Sequence, residues 1–265
     1  MLHTGSHYIM GATHTECQDF TLHGKNPIPH IIVCDGCSSS LGSHVGAKIL
    51  AKTAQYLIQQ NNIPNYHDFG EYIIQKSQRI VSKMGLLDCV LDSTLLVGFV
   101  QNDVMTVYMY GDGCILYEKT QGGIESINIE FADNTPYYLT YWLQESYQQA
   151  YASRGEDLMY IHDSQHPQDN PYAFAKPLVY HFPLVEYKTI ALASDGATSC
   201  VNLETGFKEP LANIATQLLC NMEIPILPNF VEQHVLSMKQ HYAKQHIRIL
   251  DDLAVSMLTQ TFSDI

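Results

Sequence analysis

The sequence predicts an α+β fold in which antiparallel β-sheets lie between layers of helices. Three observations predict it: apolar runs typical of strands, pairs of amphipathic helices, and the order of both along the chain. Strands come first, followed by two helices, more strands, two more helices and a last strand. Because 46% of the 265 residues are hydrophobic, the chain can bury a substantial core, and we expect residues 1–265 to form a single domain.

The first predicted strand is Ile31 to Cys34, which ends in an Asp-Gly pair. Ser43 is expected to cap the helix that follows. The apolar residues of this helix recur at three- and four-residue spacing: Ala47, Leu50, Ala51, Ala54, Leu57 and Ile58. After a proline-containing break, a second amphipathic helix is predicted with the stripe Phe69, Tyr72, Ile73, Ile80 and Met84. The two helices are therefore expected to cover one face of a sheet.

The middle of the chain is typical of an antiparallel meander. Gln101-Asn102-Asp103 suits a hairpin connection between two strands. The second predicted helix pair includes one with Val231, Val235, Met238 and Tyr242 on a single face. The predicted elements are strands at residues 93–100, 104–110, 114–118 and 189–194, helices at 211–220 and 231–242, and a last strand at 253–259.

Residues 131–180 fit this pattern least well. They hold eight of the 17 tyrosines and the only tryptophan, Trp142. Two interpretations are open. Tyrosine and tryptophan suit half-exposed contact surfaces, which favours an irregular flap over a substrate cleft. The alternative is a set of extra strands and a loop packed on the core.

Composition excludes several classes of partner. With 27 acidic and 14 basic residues, the formal charge is −13, which repels nucleic acid and anionic membrane surfaces. The chain lacks a recognisable signal peptide and an apolar run long enough to span a bilayer. The seven cysteines lack metal-knuckle spacing, so reduced thiols are expected. These features predict a cytoplasmic protein.

Four motifs each place an aspartate beside a strand-like apolar run: CQDF, IIVCDG, ALASDG and LDDLAVSML. If these runs belong to one fold, Asp19, Asp35, Asp195 and Asp251 can converge at strand ends. Carboxylates at such close range repel one another unless divalent cations lie between them. The pattern therefore indicates an enzyme that uses a hard metal ion.

These motifs, together with GATHTE, DSTLLVGFV and the YGDG at Tyr110 to Gly113, occur in a characteristic order over nearly the whole chain. In this respect the sequence resembles the metal-dependent PP2C-type (PPM family) serine/threonine protein phosphatases, especially their divergent bacterial branch. The resemblance implies a four-layer α-β-β-α sandwich of two central, mainly antiparallel β-sheets flanked by helices. It also implies a binuclear Mn²⁺ or Mg²⁺ centre at one end of the sheets.

The implied activity is hydrolysis of phosphoserine and phosphothreonine in phosphorylated proteins, within the pathway of a cognate kinase. Two cations can activate a water molecule for direct attack and neutralise charge on the phosphoryl oxygens, so a side-chain nucleophile is not required. Oxygen ligands favour magnesium or manganese over zinc.

The resemblance also assigns roles to residues of the metal centre. It implies that Asp35 bridges both metals and that Gly36 contributes its backbone carbonyl. Asp195 and Asp251 are the implied remaining carboxylate ligands, although Asp252 could exchange roles with Asp251.

Two further aspartates match positions of the family pattern. Asp19 matches a residue that holds metal-bound water. Asp112 matches an aspartate tied to a weaker third metal, and the alternative for this residue is a plain β-turn role.

Several residues depart from the family pattern. Gln18 replaces a metal-contacting glutamate, which predicts weaker binding of the second metal and tighter binding in Gln18→Glu. His14 stands in place of a phosphate-binding arginine. Cys37 stands where some members have a histidine, which leaves His44, His14 or metal-bound water as the leaving-group acid. Ser199 replaces an aspartate that assists the third metal.

Because of these departures, two alternatives stay open. One is a pseudophosphatase, a phosphoprotein-binding or regulatory module with weak or no catalysis. The other is a metal-dependent hydrolase of a small phosphorylated metabolite, whose cleft the tyrosine-rich segment closes to proteins.

Overall fold

The computed structural model describes residues 1–166, 171–220 and 228–261. Within these residues, strands form one seven-stranded sheet, one five-stranded sheet and a two-stranded ribbon. From edge to edge, the seven-stranded sheet consists of β1 (Leu2–Ile9), β14 (Leu253–Gln260), β11 (Tyr187–Ala193), β6 (Gly113–Lys119), β7 (Ile124–Phe131), β8 (Met159–Asp163) and β9 (Pro171–Tyr172).

The five-stranded sheet has its own edge-to-edge order: β10 (Leu178–Pro183), β5 (Val104–Tyr110), β4 (Leu95–Gln101), β3 (His30–Cys34) and β2 (Phe20–Gly24). The ribbon pairs β12 (Cys200–Asn202) with β13 (Ile247–Ile249). All described strand pairings are antiparallel.

The described α-helices are α1 (Ser43–Gln59), α2 (Tyr66–Lys83), α3 (Glu145–Ala152), α4 (Leu211–Leu219) and α5 (Phe230–Lys244). All except α3 cover the outer faces of the two large sheets. The first two pack on the five-stranded sheet, and α4 and α5 pack on the seven-stranded sheet. A third apolar cluster lies between the sheets. The predicted four-layer α-β-β-α sandwich is therefore confirmed.

The predicted cap of α1 was wrong. The helix begins at Ser43, but its N-cap is Gly42, which has a φ of 80°. The Ser43 hydroxyl instead accepts a hydrogen bond of 2.9 Å from the Gln18 side-chain amide. Because the Ser43 oxygen accepts this bond, Ser43 links the start of α1 to Gln18, in the segment before β2, and does not cap the helix.

The predicted stripe of α2 was only half right. Phe69 and Ile73 are buried, but Met84 is 56% exposed and follows the end of the helix. Ile74 and Val81 are the buried residues that the spacing did not select. The buried face of α2 is therefore rotated around the helix axis relative to the predicted stripe, toward Ile74 and Val81.

Residues 131–180 combine strands, short helices and an aromatic cluster, with 167–170 outside the described residues. The strands β8, β9 and β10 extend the two large sheets. The rings of Tyr137, Tyr141, Tyr151 and Phe174 pack with centroids 4.7 to 5.3 Å apart. Much of the segment is therefore packed structure, as the second interpretation expected.

Two features of the structure concern the expected absence of a membrane span and the expected reduced thiols. Among the described residues, no helix is both long enough and apolar enough to cross a membrane. All seven cysteines lie among the described residues and carry free thiols.

A glycine in α1 determines how closely this helix approaches the loop before β4. A Cβ atom on Gly46 would collide with the backbone carbonyl of Val90. Val90 belongs to the short 3-10 helix Asp88–Leu91, which leads into Ser93 and Thr94 beside the end of β3. The absence of a side chain at position 46 therefore fixes the position of this loop.

We predict that Gly46→Ala lowers the free energy of unfolding by about 1 to 3 kcal/mol, because the added methyl must push backbone aside. The loss is expected even though alanine favours helices over glycine. Urea unfolding followed by circular dichroism measures it, with Lys52→Ala on the exposed face of the same helix as the control. A Gly46→Ala protein as stable as the wild type would contradict the close approach.

Candidate metal centre and catalytic cleft

Strand pairing in the five-stranded sheet brings Asp19 and Asp35 together. Asp19 directly precedes β2 and Asp35 directly follows β3. Phe20 and Cys34 are register partners in this antiparallel pair. Because β2 starts where its antiparallel neighbour β3 ends, the two aspartates lie at the same end of the sheet.

The seven-stranded sheet places a second pair of motifs in the same way. Ala193 at the end of β11 pairs with Val255 near the start of β14. The Ser194 amide donates a hydrogen bond of 3.0 Å to the Ala254 carbonyl. Asp195 and the Asp251-Asp252 pair therefore meet at one end of this sheet.

The two sheet ends face each other across a narrow cleft of about 120 Å³. An adjoining cavity of about 380 Å³ shares Asp112, Asn134, Asp195 and Asp251 with it. The residues lining the narrow cleft are His14, Asp35, Gly36, Cys37, Ser38, Ser39, Thr94, Asp112, Asn134, Pro136, Tyr138, Asp195, Asp251 and Asp252.

The carboxylates of the cleft have strongly perturbed acidities. Burial raises the pKa of Asp35 well above its usual range, and the charges of Asp19 and Asp195 raise it further. Burial also raises the pKa of Asp19, although a hydrogen bond from Ser194 opposes that shift. The pKa of Asp195 is raised as well, again chiefly by burial. Negative charge at this site is therefore costly unless a cation compensates it.

Near the cleft, two buried carboxylate oxygens have no hydrogen-bond partner among the described residues. They are Oδ1 of Asp195, which lines the cleft, and Oδ1 of Asp19, which lies outside the lining. Buried polar atoms are nearly always paired, so unpaired oxygens beside further carboxylates mark a place where positive charge fits. The aspartate side chains and the Gly36 carbonyl offer oxygen atoms as metal ligands, which suits Mg²⁺ or Mn²⁺.

The structure distinguishes the roles of Asp251 and Asp252. The Asp252 carboxylate accepts backbone hydrogen bonds from Gly11 (2.8 Å) and Gln18 (2.6 Å) and is 2% exposed. The Asp251 side chain is 42% exposed and lines both cavities. Asp252 therefore braces the N-terminal loop, whereas Asp251 is the residue open to the cleft.

Asp112 lies in the tight connection between β5 and β6. The flanking Gly111 and Gly113 have φ angles of 94° and 129°, which favour glycine. Asp112 is 6% exposed, and burial and the charge of Asp195 raise its pKa. It is therefore both a turn residue and part of the cleft.

His14 reaches the cleft but faces carboxylates. Its Nε2 atom lies 3.2 Å from Asp251 Oδ1, and its Nδ1 atom lies 3.1 Å from Asp252 Oδ2. Any positive charge on this ring is therefore shared with two aspartates. The geometry favours a role in holding the Asp251-Asp252 pair over one as an anion clamp.

Two residues singled out in the sequence lie elsewhere. Gln18 bonds to Ser43 and is not among the described residues that line the two cavities. The expectation that Gln18→Glu tightens a metal site therefore lacks support in the structure. His44 is also outside this lining, and its Nδ1 atom lies 3.3 Å from Glu16 Oε1. It is thus a poor choice for a leaving-group acid.

Cys37 lies at the mouth of the cleft. Its Sγ atom is 3.1 Å from Ser39 Oγ. Burial acts to raise the pKa of this thiol, but hydrogen bonds from Ser39 and Tyr138 outweigh burial and lower it. Tyr138 comes from the tyrosine-rich segment, so part of that segment does border the cleft.

Sequence reasoning missed several contributors. Ser194 donates a hydrogen bond of 2.7 Å to Asp19 Oδ2 and accepts one of 2.9 Å from the Ala254 amide. Its position next to Asp195 in the ALASDG motif was the available signal. Glu130 lines the larger cavity near Ser199, and no motif pointed to it.

The sequence of this chain matches that of a known protein family. The profile of the family described as Protein phosphatase 2C matches residues 6–223. A search of curated protein sequences found no match.

Solved structures share the fold at low identity. The serine/threonine phosphatase Stp1 from Staphylococcus aureus is 13% identical, with a TM-score of 0.58, covering 99% of this chain and 96% of its own. The Mycobacterium tuberculosis serine/threonine phosphatase PstP/Ppp is 12% identical, with a TM-score of 0.56, covering 98% and 99%. A PstP catalytic domain described in complex with two manganese ions is 12% identical, with a TM-score of 0.56 and 97% coverage of each chain.

The family profile matches residues 6–223, which is more than half of the chain. The chain therefore belongs to the protein phosphatase 2C family.

Proposed function

We propose that this protein is a Mn²⁺- or Mg²⁺-dependent phosphatase of phosphoserine and phosphothreonine in proteins, formed by a single domain. The observation that carries the proposal is the set of crowded carboxylates, with unpaired oxygens on Asp19 and Asp195, at the edge of a cleft. Family membership supports the reaction class. Free thiols at all seven cysteines suit a reducing compartment such as the cytoplasm.

The residues that would hold two cations are Asp35, Gly36, Asp195 and Asp251. Asp112 would contribute to a weaker third site. When bound, divalent cations supply Lewis acidity, lower the pKa of water and offset the charge of the phosphoryl group.

Other residues of the chain would position these ligands. Ser194 holds Asp19 against β14, and Asp252 draws the N-terminal loop onto the last strand. Asp19 would orient water with the oxygen that Ser194 leaves free. His14 would fix the orientation of Asp251 through their 3.2 Å contact. These contacts reduce the reorganisation that the site needs when it binds a substrate.

The substrate end of the cleft is polar and narrow. Ser38, Ser39 and Tyr138 offer hydroxyl groups at its rim. No arginine is among the described residues that line either cavity, and Lys208 is the lysine that lines the larger one, so phosphate binding would depend on the metal ions and on Lys208. A phosphorylated protein, supplied by a cognate kinase, is the substrate class that we favour.

A pseudophosphatase is the second candidate. It is favoured by the orientation of Gln18 toward Ser43 and by the engagement of His14 with two aspartates. In these orientations, Gln18 would not contact a metal ion and His14 would not clamp a phosphate group.

Metal-dependent turnover is the direct test. We predict that the purified protein hydrolyses para-nitrophenyl phosphate and a phosphothreonine peptide with Mn²⁺ or Mg²⁺ but not with EDTA. Asp35→Asn and Asp195→Asn are each expected to lower turnover by at least about 100-fold, because each removes charge from the cation site without changing its shape. Turnover is measured by released phosphate. A folded protein that is inactive with every metal would favour the pseudophosphatase.

Thermal stability tests the cation site without turnover. In EDTA, Asp35→Asn is expected to raise Tm, because it removes one of several mutually repelling buried charges. With Mn²⁺ at a hundred times its Kd, the wild type gains about 2.7 kcal/mol, and the variant is expected to gain much less.

Differential scanning calorimetry of both proteins, with and without Mn²⁺, measures these shifts. The matched control is Asp103→Asn, at an exposed hairpin residue with a φ of 58°, where asparagine is well tolerated. A rise in Tm on Mn²⁺ addition that is equal in wild type and Asp35→Asn would contradict the assignment.

A further inference from the structure

A third cavity lies between the edge strands of the two large sheets, away from the carboxylates. Its volume is about 510 Å³, which is in the range of small-molecule sites. β1 ends at Ile9, just before the N-terminal loop that Asp252 braces, and His3 lies six residues before that end. This cavity is therefore separated from the loop by about 20 Å along the strand. The lining residues are His3, Thr4, His23, Gly24, Lys25, Pro228 and Phe230.

Among the described residues, the titratable groups that line this cavity are all basic. Burial lowers the pKa of His3, and the positive charge of Lys25 lowers it further. Burial also lowers the pKa of His23, with additional repulsion from His30 and Lys25. When these imidazoles are protonated, they and the ammonium group repel one another, although the chain as a whole has a formal charge of −13. An anion between them would relieve that repulsion.

A buried hydroxyl group in the lining has no partner. Thr4 is 6% exposed, and its Oγ1 atom has no hydrogen-bond partner among the described residues. Thr4 shares a face of β1 with Ser6, whose Oγ atom lies 2.9 Å from His23 Nδ1. The hydroxyl is thus on the side of β1 that faces β2, and it can donate to a ligand in the cavity.

The first turn of α5 forms another wall. A side chain on Gly5 would collide with Phe230 and Val231, so the glycine lets this helix start against β1. The N-cap residue Asn229 makes no side-chain capping bond, which leaves the first amides of a 15-residue helix uncapped by that side chain. Glu232, the acidic residue of this turn, lies 3.4 Å from the Asn229 side-chain amide and is not among the lining residues.

We propose that this cavity is a binding site for a phosphate-type dianion, held by His3, His23, Lys25 and the Thr4 hydroxyl. The ligand is either free phosphate or the phosphate group of a small organic monoester. The proposal is independent of the function proposed above, since it involves neither the carboxylate cleft nor a metal.

Proton NMR of the histidine ring signals tests the site in protein kept metal-free with EDTA. Inorganic phosphate is titrated at constant ionic strength, with sodium chloride as the reference salt. Saturable shifts of the His3 and His23 signals are expected, together with a rise in their pKa, because a dianion stabilises the imidazolium form. The signals are assigned from the spectra of His3→Gln and His23→Gln.

The double variant His3→Gln/Lys25→Gln is expected to raise the Kd for phosphate by about tenfold or more, because charge-assisted hydrogen bonds are lost. Thr4→Val keeps the side-chain shape, removes only the hydroxyl and is expected to weaken binding less. His7→Gln, on the same strand but outside the lining, serves as the matched control with wild-type affinity. Circular dichroism verifies that each variant is folded.

Phenylphosphonate, titrated in parallel, distinguishes the two ligand sources. Tighter binding of phenylphosphonate than of phosphate points to an organic monoester, and the reverse order points to free phosphate. Shifts that sodium chloride reproduces, or an unchanged Kd in the folded double variant, would overturn the proposal.

Discussion

Electrostatic repulsion among carboxylates at the junction of two sheets is the constraint on which the remaining structure depends. Asp19 and Asp35 arrive from one sheet, and Asp195 and Asp251 arrive from the other. Burial raises the pKa values of Asp19, Asp35 and Asp195, and the charge of a neighbouring aspartate raises each of them further. The cations proposed for this cleft would offset the negative charge of its carboxylates.

Hydrogen bonds across the chain hold this arrangement against its own repulsion. Ser194 bonds to Asp19, which is 175 residues away in sequence. Asp252 accepts amide hydrogen bonds from Gly11 and Gln18 at the other end of the chain. Such bonds to charged groups stabilise more than neutral ones do, so the first loop and the last strand are fixed together.

The sequence predicted most of this architecture for identifiable reasons. The apolar periodicity of α1 and the turn at Asn102 and Asp103 placed these elements correctly, because both signals are local. The edge strand β1 was missed, since its residues alternate weakly between apolar and polar. The cap at Ser43 was wrong because a partner distant in sequence, Gln18, bonds to its hydroxyl.

By itself, the sequence determined the family and the layered fold, because strand-end motifs recur in a fixed order. It also predicted a set of aspartates as the site, and three of them, Asp35, Asp195 and Asp251, line one cleft. Only the tertiary structure decided which side chains share a cleft. It shows that Asp251 and Asp252 make different contacts, that the Gln18 side chain bonds to Ser43 of α1, and that His14 lies beside two carboxylates. The physical reason is that hydrogen bonding and burial depend on partners that strand register brings together, and a linear pattern does not contain those partners.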